Sequence, residues 1–186
     1  MRELIKAVEQ QAFNGDGTGN NLNGISTVAP NFAAGSFATA VDSPNEVDVL
    51  AIAMNQIALA EQDAPNYIFM NPTDVTKLKL YKVTATDRRY VERVLTAGST
   101  LMVDGVMIIP TTLVIVGDYL IGNFNLAVLV TRNEVMVNIG LDADDFTKNL
   151  RTILAEWRGL SLVKNNDRTA FVKGTFATDI AAITKA

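Results

Sequence analysis

The sequence contains no cysteine and no histidine. The first absence excludes disulfides and thiolate chemistry. The second removes the commonest general base and the commonest metal ligand, and with them the usual catalytic triads and zinc sites. Long apolar runs are missing as well: no stretch reaches the ~18 consecutive apolar residues of a membrane-spanning helix. Met1–Gln11 is polar and amphipathic and lacks the apolar stretch of a secretory signal. Nor is there an excess of positive charge. The formal net charge is −4, whereas a protein built to grip phosphate backbones needs a surplus of Lys and Arg on one face. These absences lead to the expectation of no cofactor, no metal, no membrane partner, and residence in the cytoplasm at least during folding.

What is present describes a folded chain. Of its 186 residues, 48% are hydrophobic and 19% charged, a balance that disordered segments do not show. A chain of this length forms one large domain or two small ones and buries roughly 70% of the surface its unfolded form exposes.

Leu4, Ile5 and Val8 recur at helical spacing among Arg2, Glu3, Lys6 and Glu9, predicting an amphipathic helix that stops near Phe13. A helix that starts at the first residue reads as cut rather than capped. The stop is Asn14–Asn21, rich in residues that favour turns or tolerate positive φ. Ser43-Pro44-Asn45-Glu46 predicts a capping box with proline at the first helical position. Leu50, Met54, Ile57 and Ala58 then line one face of a helix that ends before Pro65. Tyr67–Met70 reads as a short buried strand, and Asn71-Pro72-Thr73-Asp74 caps a helix stacked through Val75, Leu78 and Lys82.

Further on, strand signals dominate. Asp104-Gly105 between Leu101–Val103 and Val106–Ile109 is the dipeptide that two-residue hairpins prefer. Other strands are expected at Val114–Val116, Tyr119–Ile121, Ala127–Val130, Val135–Ile139 and Ala170–Phe176, with a short helix capped by Asp142 and running through Lys148. Leu150–Val163 fits helix and strand alike. Helices and hairpins without regular βαβ alternation predict an α+β fold.

Several features imitate sites. Asn14, Asp16, Thr18 and Gly19 match the first half of a calcium loop, but Ile25 stands where the bidentate Glu belongs. Gly19–Ser26 imitates a phosphate loop, with Ile25 again in the place of the required Lys. Asp142, Asp144 and Asp145 read as acidic residues at a helix start rather than a metal site. Arg88 and Arg89 form a small basic spot. Trp157 reads as a packing anchor. Glu156 beside it would be a plausible base if burial raised its pKa, the simpler reading being a pair with Arg158 or Arg151. Asn149 on that simpler reading ends a helix in the left-handed conformation.

Three stretches carry a resemblance: Asn14–Ile25 (NGDGTGNNLNGI), Asp145–Arg158 (DFTKNLRTILAEWR) and Arg168–Phe176 (RTAFVKGTF). In this order and spacing the chain resembles the C-terminal portion of the major capsid proteins of Hong Kong ninety-seven-like tailed phages. The resemblance implies that residues 1–23 are the end of a spine helix plus a glycine-rich connector of the peripheral domain. It makes residues 24–115 the axial domain and residues 116–186 a return to the peripheral domain as strands, which decides Leu150–Val163 for strand. The family's N-terminal arm, extended loop and most of the spine helix have no counterpart here, so this chain alone is expected to be a monomer or small oligomer.

The implied function is structural rather than enzymatic. The protein would self-assemble as pentamers and hexamers into an icosahedral virion shell, with scaffold and portal proteins as partners and packaged DNA held only loosely. It would reside in the host cytoplasm during assembly. Some family members cross-link by a Lys–Asn isopeptide bond; Asn149 matches the acceptor and Glu156 the assisting base. An encapsulin-like compartment shell is the alternative within the same fold. A small-molecule or nucleotide-binding domain using the Gly15–Gly24 loop is the alternative outside it.

Overall fold

The computed structural model describes residues 2–60, 62–80, 94–97 and 100–185. In chain order the elements begin with α1 (Arg2–Asn14), a one-turn α2 (Ile25–Val28), α3 (Glu46–Leu59), β1 (Tyr67–Met70) and α4 (Pro72–Lys79). Strands β2 (Val94–Ala97), β3 (Thr100–Val103), β4 (Val106–Pro110), β5 (Asp118–Gly122) and β6 (Ala127–Gly140) follow. The chain continues through α5 (Asp145–Lys148), β7 (Thr152–Val163), β8 (Phe171–Thr175) and α6 (Phe176–Ile183). Contacts divide it into two units, Met1–Thr27 with Ala127–Leu162 and Val28–Leu126 with Val163–Ala186.

The second unit is built on a six-stranded sheet of order β2-β3-β4-β1-β5-β8. β1 lies parallel to β4 and antiparallel to β5, and β8 closes the far side against β5. Period-two alternation sorts its side chains into two faces. Ile68, Met70, Ile108, Tyr119, Ile121 and Val172 join the helical residues Val49, Leu50, Ile57, Val75, Leu78 and Ile183 in one buried core. The alternate residue Phe69 meets Phe124 edge-on at 4.6 Å, and Phe124 meets Phe171 at 5.3 Å.

Local chemistry explains the helix starts. Asn71 accepts the N–H of Thr73 at 3.1 Å, with Pro72 already at the first helical position, where a missing N–H costs nothing. α3 is capped by Asn45, not by Ser43. The Asn45 side chain accepts from Val47 and Asp48 while Asp48 reaches back to the Asn45 N–H. The expected box is thus shifted by two residues, Pro44 precedes the helix, and Ser43 sits at φ +49°. On α3 the buried face runs through Val49, Leu50, Ile52, Ala53 and Ile57, while Ala58 is exposed.

The Asp104-Gly105 hairpin forms as expected, both residues at positive φ. Val114–Val116 is not a strand: Val114 is buried in a turn, and Ile115 and Val116 are exposed. The two strands expected at 127–130 and 135–139 are one continuous strand, β6, which runs straight through Thr131–Glu134. Leu150–Val163 is strand from Thr152 onward. The chain end holds a helix, α6, that the sequence reading did not anticipate. Residues 116–126 and 163–186 belong with the sheet unit. Lys82, Arg88 and Arg89 lie outside the described residues.

Candidate assembly surface and cross-link residues

In the first unit, α1 runs into the glycine-rich connector. Gly15 N–H donates to Gln11 at 2.7 Å, Gly17 N–H to Leu22 at 3.0 Å, and Gly24 N–H to Gly15 at 2.9 Å. A phosphate-binding loop keeps such donors turned toward its ligand; here they are used internally. A Cβ on Gly15 would lie 2.1 Å from the Leu22 carbonyl oxygen, and one on Gly24 2.4 Å from the Gly15 nitrogen. Glycine is required at both places by close approach of backbone.

The would-be calcium ligands are engaged too. Asp16 accepts from the Thr18 hydroxyl at 2.7 Å and from Asn21 Nδ2 at 2.9 Å. The Thr18 hydroxyl foremost, then Asn21, holds its carboxyl down at about 2. Asn14 Oδ1 accepts from the Ser26 hydroxyl at 2.9 Å. The connector is a self-satisfied loop.

β6 and β7 form a two-stranded ribbon. Trp157 lies over Gly159, where a Cβ would sit 2.2 Å from the indole ring. Within this unit Trp157 and Gly159 line a cleft of about 570 Å³ together with Leu4, Val8, Gln11 and Leu22. Much of the ribbon's apolar surface remains uncovered. Ile139 is 65% exposed and Ile153 68%, and Leu129, Val130, Val137, Leu154 and Leu160 are exposed as well. An isolated two-stranded ribbon is marginal on its own, and contiguous exposed apolar surface marks an interaction site.

α5 lies between β6 and β7. Asp142 does not cap it. Instead Asp145 Oδ2 accepts both the Asp142 N–H at 3.0 Å and the Thr152 hydroxyl at 2.5 Å. That Thr152 bond foremost keeps the Asp145 carboxyl below its usual range. Asp144 pairs with Lys148 one turn on. Among the described residues no group of three or more His, Cys, Asp or Glu is placed to hold a metal ion.

Asn149 is left-handed, at φ +54° and ψ +39°. Its N–H donates to Phe146, and Leu150 N–H donates to Asp145. These two bonds are the Schellman closure of a helix end. The Asn149 backbone is therefore fixed while its side chain faces solvent. Glu156 sits on β7 with Arg158 Nη2 3.9 Å from its carboxylate, and its side chain is one-third exposed. Asn149 precedes β7, so strand alternation, which would set residues seven apart on opposite faces, does not relate the two side chains.

A model of the phage capsid family matches residues 2–176. The chain belongs to the phage capsid family. Among curated proteins it is similar to the major capsid protein of Enterobacteria phage HK97, at 34% identity over 180 residues. The match covers 96% of this chain and 45% of that protein, so the chain spans under half the length of its relative. Among solved structures it is similar to the capsid of an empty GTA particle computed with C5 symmetry. The TM-score is 0.67 at 20% identity, covering 94% of this chain and 63% of the other. The architecture is the α+β Hong Kong ninety-seven-like capsid fold. The ribbon's exposed apolar residues were individually visible in the sequence, but nothing there marked them as unburied.

Proposed function

We propose that this chain is the shell-building portion of a phage major capsid protein, self-associating in pentamers and hexamers into an icosahedral shell around packaged DNA. Membership of the phage capsid family supports this reading, and the uncovered apolar ribbon β6–β7 is the observation that carries it. The sheet unit corresponds on this reading to the axial domain, and the unit holding α1 and the ribbon to the peripheral domain. A net charge of −4 suits an inner wall that holds nucleic acid loosely. Scaffold and portal proteins are the partners in assembly, which takes place in the host cytoplasm and ends in the virion. Electron microscopy of the protein as its gene encodes it should show closed shells. Ile153→Glu, which puts charge on the ribbon, should leave only small subassemblies; undiminished shells in that variant would remove the ribbon from the interface.

Asn149 and Glu156 are further proposed as acceptor and base of a Lys–Asn isopeptide cross-link. The neutral lysine amine attacks the Asn149 carboxamide carbon, the C–N bond to the amide nitrogen breaks, and ammonia leaves. Glu156 takes the proton that the attacking amine must shed and passes it to the departing amide nitrogen, which leaves as ammonia, a role worth roughly 10²–10⁴ in rate. The exposed carboxamide of Asn149, held on a fixed backbone, supports the reading. Mass spectrometry of assembled particles should find a Lys–Asn149 peptide pair lighter by one ammonia. Glu156→Gln should assemble yet leave the pair unlinked; unchanged linkage would dismiss Glu156.

A further inference from the structure

The chain has two Asn-Gly dipeptides, Asn14-Gly15 and Asn23-Gly24, and both lie in the connector. Asn-Gly is the dipeptide most prone to react with itself. The glycine nitrogen adds to the neighbouring carboxamide carbon, its proton ends on the departing amide nitrogen, and ammonia leaves behind a five-membered cyclic imide. Glycine suits the step because no Cβ obstructs the rotation that swings its nitrogen onto the side chain. Water then opens the imide at either carbonyl, giving aspartate or its backbone-lengthened isomer.

In the connector the two halves of this reaction are held apart. Asn14 and Asn23 are exposed, while Gly15 and Gly24 are buried. Each glycine nitrogen is already donating: Gly15 to the Gln11 carbonyl, which continues the bonding of α1, and Gly24 to the Gly15 carbonyl. A Cβ on Gly24 would lie 2.6 Å from the Phe13 carbonyl oxygen and 2.8 Å from the Asn14 carbonyl carbon. The backbone of one dipeptide is thus packed on that of the other, and neither makes the required rotation alone. Asp16 ties the segment between them. It pairs with Asn23 in an antiparallel bridge, and its carboxylate holds Thr18 and Asn21. The Thr27 hydroxyl adds a second bond to the Gly15 carbonyl, at 2.7 Å.

We propose that the connector is a latent self-modification site, in which Asn14 and Asn23 both cyclise on the following glycine nitrogen when the Gly15–Gly24 contact opens.

Opening is a local unfolding event, so the rate at each asparagine is the intrinsic rate of the open chain multiplied by the open fraction. Cyclisation is far slower than the closing of a short loop, so that fraction is an equilibrium one. The modification also runs one way. A carboxylate at position 23 would stand opposite that of Asp16, its bridge partner, and like charges directly opposite repel. The lengthened isomer would shift the backbone by one atom where glycine alone fits. Conversion at position 23 therefore holds the connector open and speeds conversion at Asn14.

Peptide mapping of the whole chain by mass spectrometry, after incubation in mildly alkaline buffer, is the test. Unfolded in urea, the chain should exchange amide nitrogen for oxygen at Asn14 and Asn23 ahead of every other asparagine. In the folded chain both sites should slow by at least about tenfold, one decade of open population. Asp16→Ala, which keeps both dipeptides, should speed the two sites by the same factor while amide-exchange protection of the six-stranded sheet stays as it is. Folded-chain rates equal to those in urea would overturn the proposal, as would acceleration of one site or neither in Asp16→Ala. Should that variant fail to fold, the unmodified chain in urea below its global transition decides. Parallel acceleration at Asn14 and Asn23 supports the shared contact, and conversion of one without the other ends it.

Discussion

The carboxylate of Asp74 binds the backbone N–H of Gly117, 43 residues away, at 2.6 Å, and its other oxygen takes Lys77 Nζ at 2.7 Å. Asp74 is buried and Gly117 stands at φ +91°. This bond pins the turn before β5. Asp74→Ala leaves a partly buried N–H without its acceptor and empties a buried carboxylate site, and should cost about 1–3 kcal/mol. Lys77→Ala removes only the half-exposed partner and should cost much less. Urea midpoints should separate the two variants with no change in slope.

The connector should discriminate among its glycines. Gly15→Ala forces a Cβ into the backbone carbonyls of both Leu22 and Gln11, a clash at or beyond the upper end of the roughly 1–3 kcal/mol of ordinary overpacking. Gly19→Ala meets no atom within 4 Å and bears only the strain of φ +59°, roughly 1–2 kcal/mol. Equal melting temperatures for the two would contradict the close backbone approach.

Gly159→Ala should displace the only tryptophan of the chain. Emission from Trp157 should shift to the red as the ring leaves α1 for solvent. An unaltered spectrum would mean that the ring does not rest on Gly159.

Acid should loosen the connector as Asp16 takes up a proton. The Asp16 carboxyl is held at about 2 against an ordinary 3.8. A depressed folded pKa contributes stability that is complete above the unfolded value and is lost as pH falls through the folded one. Amide shifts of Thr18 and Asn21 should therefore move together with a midpoint at about 2, and Asp16→Asn should abolish that step. A midpoint near 3.8 would show that the Thr18 and Asn21 bonds do not form.

Much of the fold was legible where one local signal sufficed. Asn71-Pro72 and Asp104-Gly105 encode a cap and a turn through their own dihedral preferences, and both appear where expected. The cap of α3 was displaced by two residues because Ser43 and Asn45 are both good capping residues, and only packing of Val49 and Leu50 decides between them. Val114–Val116 misled because three β-branched residues outweigh a turn on propensity, whereas the Asp74–Gly117 bond is a long-range fact. Asn149 as a left-handed helix end was legible from residue type. Glu156, Arg158 and Trp157 were legible as neighbours, but α1 as the element facing Trp157 was not. The buried hydrogen bond from the Tyr119 phenol to Asp179 was invisible, since neither residue is unusual and 60 positions separate them.

The two units are interleaved along the chain, and this shapes how the protein is made. Its sheet gains β8, the partner of β5, only after the whole ribbon has emerged from the ribosome. At about 5–20 residues per second, the side of β5 that β8 covers stays open for seconds. During that interval the nascent chain offers an unpaired strand edge to any neighbour. Premature termination between β7 and β8 would make that interval permanent, yielding a chain with its β6–β7 ribbon intact and its sheet one strand short.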